Sequence, residues 1–200
     1  IYSCYELGEH DAMKVHLERE MRLSRQLGAR RFEAQGLEMQ ARMLLDTGRA
    51  AEAAQMLREA LAMCRDVGMQ FTGPKTHSAL SRAVDDRVEQ DRLLAEGEEL
   101  LRRGAVGHNH LWFYRDAIEA MLAAADAPRA LRYTDMLEAY TRSEKLPWSE
   151  LFVARGRALV RARQDSADDD AGRDLVRIRA ALVDAGLRAF LAPVDAMLAR

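Results

Sequence analysis

Residues 34–68, AQGLEMQARMLLDTGRAAEAAQMLREALAMCRDVG, contain two helical patterns joined by a turn. Before and after Gly48, apolar residues recur three, four and seven positions apart, which is the spacing of one face of a helix. Asp46, Thr47 and Gly48 lie between the two patterns, and a glycine there can take the positive φ that ends a helix. The stretch therefore predicts a helix from Ala34, a tight turn, and a second antiparallel helix over Ala50–Val67.

The same arrangement recurs along the chain. Gly8, Gly28, Gly48 and Gly68 fall twenty residues apart, and the segment from Tyr5 matches the segment from Leu45, which gives a period of 40. Such periods are typical of helical repeat proteins, in which each helix pair stacks on the next. The pattern predicts further helix pairs at 76–83 with 86–103, at 109–124 with 128–142, and at 147–163 with 170–185.

Composition agrees with a helical chain. Alanine occupies 34 of the 200 positions, and Phe, Trp and Tyr together make up only 6%, which disfavours β-sheet. We predict an all-α solenoid of antiparallel helix pairs that forms one domain over residues 1–200. Its approximate units are 1–33, 34–73, 74–106, 107–145 and 146–185, followed by a capping helix at 187–200.

Charge indicates which partners are unfavourable, and cysteine content indicates the cellular compartment. The 30 basic and 32 acidic residues leave a net charge of −2, so no basic field favours nucleic acid. No apolar run reaches the roughly 18 to 20 residues of a membrane span. Cys4 and Cys64 have no CxxC spacing, which fits a reducing compartment. We expect a cytoplasmic protein that contacts neither nucleic acid nor membrane.

Catalytic motifs are absent from the sequence. Neither a phosphate-binding loop, a nucleophile elbow nor an HExxH zinc motif occurs, so we expect no enzyme activity and no cofactor in this chain. His108 and His110 form the one close histidine pair, but we expect Asn109 to cap the next helix and separate the two rings. The acidic residues 165–170 lack the alternation of a calcium loop and are predicted to cap a helix. We expect no metal site.

Residues spaced like a tetratricopeptide repeat occur within the deciding stretch. They are Leu37, Ala41, Leu44, Gly48, Ala53, Leu57, Ala60 and Leu61. Their spacing resembles that repeat, whose turn glycine and small second-helix residues allow close packing, although the period of 40 exceeds its usual 34. The resemblance implies a tetratricopeptide-like α-solenoid.

Whole phrases of the sequence resemble a more specific family. They are GMQFTGP at 68–74, GHNHLWFYRDAIE at 107–119, YTR at 140–142 and LPWS at 146–149. They look like the C-terminal repeat region of bacterial signalling proteins that join a class III adenylate/guanylate cyclase domain, an AAA-type ATPase domain and tetratricopeptide-like repeats. The resemblance implies a regulatory arm whose catalytic domains lie upstream. Because the chain starts at Ile1 within a helical pattern, we expect it to be a piece of a longer protein.

A candidate partner-binding groove follows from the helix faces. When apolar faces are assigned to neighbouring helices, the remaining stripes are left for a partner protein or peptide, or for upstream domains. The groove residues predicted in this way, together with one adjoining histidine, are Glu38, Arg42, His110, Trp112, Asp116, Glu119, Glu150, Arg157 and Arg161. For each stripe a merely solvated face is the alternative, and Trp112 can instead cover the preceding repeat.

Arg115 and Arg155 interrupt apolar stripes, which predicts pairing with carboxylates of an adjacent repeat rather than with a nucleotide phosphate. Two other functions stay open at this point. A small-molecule or nucleotide sensor would use a pocket between repeats, walled by His110, Trp112 and Arg115. A purely structural module would form a homodimer.

Overall fold

The computed structural model describes residues 1–165 and 168–199, and these residues form helices and turns without a β-strand. The all-α prediction is therefore confirmed. The helices are α1 (Tyr2–Glu6), α2 (His10–Gln26), α3 (Arg30–Asp46), α4 (Ala50–Val67), α5 (Gly73–Ala83), α6 (Arg87–Arg102), α7 (His108–Ala123), α8 (Ala127–Tyr140), α9 (Pro147–Gln164), α10 (Asp169–Asp184) and α11 (Ala192–Leu198), with a 3-10 turn at Arg188–Phe190.

Glycines end the helices where the sequence predicts. Gly28 and Gly48 have φ of +63° and +75° and follow α2 and α3, so the twenty-residue glycine spacing does mark helix termini. Asp168 caps α10 by accepting a hydrogen bond from the Ala171 N–H at 2.8 Å, as predicted for the acidic segment. Ser166 and Ala167 of that segment lie outside the described residues.

The predicted role of Asn109 as a helix cap is wrong. The helix α7 already begins at His108, and the Asn109 side chain is buried. Its amide donates hydrogen bonds to the backbone oxygens of Gln70, Phe71 and Val106 at 3.0 to 3.1 Å. These hydrogen bonds make the buried Asn109 side chain a link between the start of α7 and the segment before α5.

Contacts divide the chain into two compact units. Unit 1 comprises Ile1–Tyr5 and Glu9–Ala117, and each helix from α2 to α5 packs on the next along the chain. The buried residues Ala41, Leu57, Leu61, Leu80 and Leu93 belong to one of its apolar clusters. Neighbouring helices are joined by turns as short as Thr47–Arg49, so they run antiparallel, as predicted.

Unit 2 comprises Glu6–Gly8 and the described residues from Ile118 onward. In it α9 packs against α8, α10 and α11. Phe152 of α9 meets Phe190 of the 3-10 turn edge-on, with ring centroids 4.7 Å apart. Among the described helices, none is both long enough and apolar enough to cross a membrane.

A close approach between α6 and α7 predicts the effect of one substitution. A Cβ atom at Gly97 would lie 2.3 Å from Cε2 of Phe113, whose side chain is fully buried. We expect Gly97→Ala to lower the free energy of unfolding by about 1–3 kcal/mol, because overpacking outweighs the gain in helix propensity of about 1 kcal/mol. Urea denaturation measures this. Gly172→Ala on α10, where a Cβ meets open space, should be neutral or stabilising, and equal behaviour of the two variants would refute the clash.

Candidate functional site

The central feature of unit 1 is a group of charged side chains on α3, α5 and α7, which we call the buried ion cluster. Its members are Glu38, Arg42, Lys75, Arg82, Arg115 and Asp116. Arg82 is 20% exposed at its side chain and the other five side chains are fully buried. Charges so far from water persist only when they are paired, so their contacts determine what the cluster can do.

Two carboxylates organise these contacts. The Glu38 carboxylate accepts from the Lys75 ammonium at 2.9 Å and also pairs with Arg42 one turn along α3. The Asp116 carboxylate lies 2.7 Å from Nη2 of Arg42, 2.9 Å from Nη2 of Arg115 and 3.2 Å from Nη1 of Arg82. Arg42 therefore bridges the two carboxylates and links α3 to α7.

The two carboxylates of the cluster stay ionised because the adjacent cations outweigh the effect of burial. Burial alone would raise the pKa of Glu38 and of Asp116, but the adjacent cations hold both pKa values below the ordinary range. Burial lowers the pKa of Lys75, and Glu38 opposes that change. Carboxylates held in the charged form at neutral pH do not act as general acids, so the arrangement favours binding over acid catalysis.

Trp112 of α7 lies against this cluster. Its ring is 4.6 Å from Cζ of Arg42 and 4.1 Å from Cζ of Arg115, both within the range of a cation–π contact. Two tyrosines of α1 pack on the same indole, with ring centroids 5.0 Å away for Tyr2 and 5.8 Å away for Tyr5. Trp112 therefore joins the cluster to α1.

Helix α1 covers the cluster through those tyrosines. The Tyr2 hydroxyl contacts the Lys75 ammonium, which also lies 4.4 Å from the Tyr2 ring centroid. The Tyr5 hydroxyl donates to the Asp46 carboxylate at 3.3 Å, and Tyr5 is 1% exposed. Because the two residues are three positions apart, they lie on one face of the short helix.

The prediction that Glu38, Arg42 and Asp116 face an open groove is wrong, and so is the alternative of a solvated face. The helix-face argument does bring these residues together with Trp112, but the tyrosines of α1 and the cations of neighbouring helices enclose them. Trp112 is half-buried, and its role as an anchor for a partner stays a prediction. Its contacts within unit 1 fit the alternative that it covers preceding structure.

Sequence reasoning missed Tyr2, Tyr5 and Lys75. Lysine occurs only three times in the chain, and Lys75 stands in a helix whose other residues are small or apolar on most sides. A rare lysine among small and apolar residues could have indicated a buried charge at this position. The spacing of the two tyrosines can also be read from the sequence, but Lys75, which Tyr2 contacts, lies 73 positions away, so the contact cannot.

In unit 2 the predicted residues of α9 line a groove, which we call the α9 groove. It encloses about 820 Å³ between α8, α9 and α10. Its apolar lining consists of Leu131, Leu151, Ala154, Ala158, Val160, Ile178 and Ala181. A second hollow of about 450 Å³ adjoins it at Ala154 and Arg157 and extends to Glu150. Glu150, Arg157 and Arg161 are thus brought together on one surface.

Ion pairs form the margins of the α9 groove. Arg157 lies 2.7 Å from Asp135 and 2.9 Å from Glu138 of α8, and these contacts raise its pKa. Asp174 of α10 pairs with Arg161 and with Arg177, and both hydrogen bonds lower its pKa. These paired side chains form a charged rim around the apolar floor.

The remaining residues of the predicted groove and the histidine pair contact other parts of the chain. Glu119 pairs with Arg155, which confirms the predicted carboxylate pairing for Arg155. Arg115 pairs with the carboxylate of its chain neighbour Asp116, because both side chains point into the cluster. His110 lies beside the Tyr114 ring at 5.9 Å. His108 contacts the Phe71 backbone oxygen at 3.0 Å. Residues 1–165 and 168–199 contain no group of three potential metal ligands.

No protein-family model, curated protein or solved structure matches this chain.

Proposed function

We propose that this chain is a non-catalytic protein-interaction domain that binds an amphipathic helical segment of a partner protein in the α9 groove. The observation that supports the proposal is the groove itself, an apolar floor bounded by paired charges. Helix-in-groove recognition uses this combination, with apolar anchors one turn apart on the ligand and polar contacts at the edges.

The dimensions of the groove suit a helix. Its lining runs along α9 from Leu151 to Gln164, which is about 20 Å at the rise of an α-helix. Ala154 and Ala181 are small and exposed, so the backbone of a bound helix can approach closely. A ligand helix of about four turns would cover this length.

The charges favour a ligand with acidic flanks. Counted over the described residues, the linings of the two hollows together hold five basic and four acidic side chains, namely Arg142, Lys145, Arg157, Arg161 and Arg177 against Asp135, Glu138, Glu150 and Asp174. The rim is therefore slightly positive. Complementarity then favours glutamate or aspartate beside the apolar stripe of the partner.

The second part of the proposal concerns the helix pairs that surround the groove. We propose that the consecutive helix pairs belong to a tetratricopeptide-like solenoid that serves as a regulatory arm, in line with the resemblance to repeat regions of cyclase/ATPase signalling proteins. The free thiols of Cys4 and Cys64 fit action in the cytoplasm. Reading the gene upstream of Ile1 tests the regulatory role, because a phosphate-binding loop and a cyclase metal site should then appear in frame.

Peptide binding tests the groove directly. The probe is a fluorescein-labelled 15-residue helical peptide with leucines at i, i+3, i+7 and i+10 and glutamates beside them. We expect micromolar binding by fluorescence anisotropy. Ala181→Glu, which places a bulky charge in the groove, should weaken binding by at least about tenfold, equivalent to about 1.4 kcal/mol.

Ala180→Glu is the matched control, because Ala180 is exposed on the same helix and does not line the groove. It should bind like the original chain, and a peptide with lysine flanks should bind more weakly. Equal loss in both variants, or no binding of the acidic peptide, would contradict the proposal. Self-association that rises with concentration, without peptide binding, would favour the dimerisation role instead.

A further inference from the structure

The buried ion cluster satisfies its own charges without α1. Glu38 is paired by Arg42 and Lys75, and Asp116 is paired by cations of α3, α5 and α7. The polar contacts of α1 with this region come from the phenols of Tyr2 and Tyr5, which are uncharged at neutral pH because the ordinary pKa of tyrosine is about 10 and burial raises it further. Withdrawal of α1 would therefore leave no carboxylate of the cluster without a cation.

The covering segment cannot hold its own conformation. Helix α1 has five residues, far fewer than the roughly 12 to 15 that a helix needs for stability in water. Helix α1 is therefore held in place by the surface on which it packs, in the same way as a peptide ligand is held by its receptor. Within unit 1 both tyrosine rings pack on Trp112 and both hydroxyls reach charged groups, and Tyr5 also packs in an apolar cluster with Met13, Leu17 and Met39.

The surface beneath α1 has chemical groups suited to binding a tyrosine side chain. Among the described residues the cluster holds four basic side chains and two carboxylates, so basic groups outnumber acidic ones. The Nη1 atom of Arg42 is buried and makes no hydrogen bond to any described residue. An aromatic ring carrying a hydroxyl group matches this surface, because the ring stacks on Trp112 and the oxygen approaches Lys75.

We propose that the surface formed by Lys75, Trp112 and the neighbouring cluster residues is a second peptide-binding site, specific for a helical segment with tyrosines three residues apart. Tyr2 and Tyr5 occupy it within the chain. A Tyr-X-X-Tyr helix of another protein occupies it when α1 is displaced. Because the tethered α1 competes at a high effective concentration, α1 limits access to the site. The proposal concerns unit 1 and is independent of the α9 groove.

The test uses the full chain with Tyr2→Ala and Tyr5→Ala, which empties the site. The probe is a fluorescein-labelled peptide with the sequence of residues 1–7 and Ser in place of Cys4. We expect it to bind the double variant at least about tenfold more tightly than the original chain, where α1 already fills the site. Saturating unlabelled peptide should also raise the Tm of the double variant and leave that of the original chain unchanged.

A peptide with alanine at both tyrosine positions is the ligand control and should not bind. Ala181→Glu, added to the double variant, should leave binding unchanged, which separates this site from the α9 groove. Equal binding of the peptide to both chains would overturn the proposal. Loss of cooperative unfolding in the double variant, without recovery on adding the peptide, would also overturn it, because the site could then not exist without α1.

Discussion

Asp116→Asn is expected to lower the free energy of unfolding of unit 1 by about 3–5 kcal/mol. The substitution keeps the shape of the side chain and removes one of the two carboxylates of the buried ion cluster. Arg42 and Arg115, both fully buried, would then lie against a neutral amide. A buried charge that loses its partner retains the full penalty of its removal from water.

Urea denaturation followed by the fluorescence of Trp112, in a Trp148→Phe background, measures this effect within unit 1. Trp112 is suitable because it contacts Arg42 and Arg115 directly. Asp66→Asn is the control: Asp66 pairs with Arg30 at 3.1 Å, but both side chains are more than half exposed, so the loss should stay within about 1 kcal/mol. Equal losses in the two variants would show that a buried ion pair contributes no more to the free energy of unfolding than an exposed one.

The stability difference between the original chain and Asp116→Asn should depend on pH. The cations around Asp116 lower its pKa in the folded state, so the unfolded chain takes up a proton first as the pH falls. The stabilisation is therefore complete above the ordinary aspartate pKa of about 3.9 and is lost progressively below it. Repeating the urea titrations between pH 7 and pH 3 should show the two chains converging in acid.

Local periodicity explains why the helices could be predicted so closely. The predicted helix Ala50–Val67 has the observed bounds, and the glycines at 28, 48 and 68 do take positive φ. A helix boundary depends on residues within one turn of it, so a sequence pattern contains the necessary information. Asn109 departs from the pattern because the carbonyl groups that attract its side chain belong to a distant segment.

Local periodicity also predicts which site residues share a stripe, but not which segment covers that stripe. The elimination of apolar faces places Glu38, Arg42 and Asp116 on stripes that do meet, and it places Glu150, Arg157 and Arg161 along a groove. Whether such a stripe meets solvent depends on what covers it. For the first stripe the cover is α1, whose Tyr2 is 73 positions from Lys75, and periodicity has no bearing on contacts at that separation.

Arg155→Gln is expected to lower the free energy of unfolding of unit 2 by about 3 kcal/mol. The Arg155 side chain is 1% exposed and pairs with Glu119, and its Nε donates to the Phe190 backbone oxygen at 3.2 Å. One guanidinium thus joins α9 to the 3-10 turn and to Glu119. Glutamine is too short to reach both partners, so a carboxylate and a carbonyl group would lose their donor.

Hydrogen exchange of the α9 and α10 amides, followed by mass spectrometry, measures the loss where it occurs. Arg173→Gln is the control, since Arg173 pairs with Asp170 at an exposed position and its removal should change exchange little. The double variant Arg155→Met with Glu119→Gln should recover part of the stability, because it removes both charges together. Without such recovery, the loss in Arg155→Gln would come from packing and the hydrogen bond to Phe190 rather than from the stranded Glu119 carboxylate.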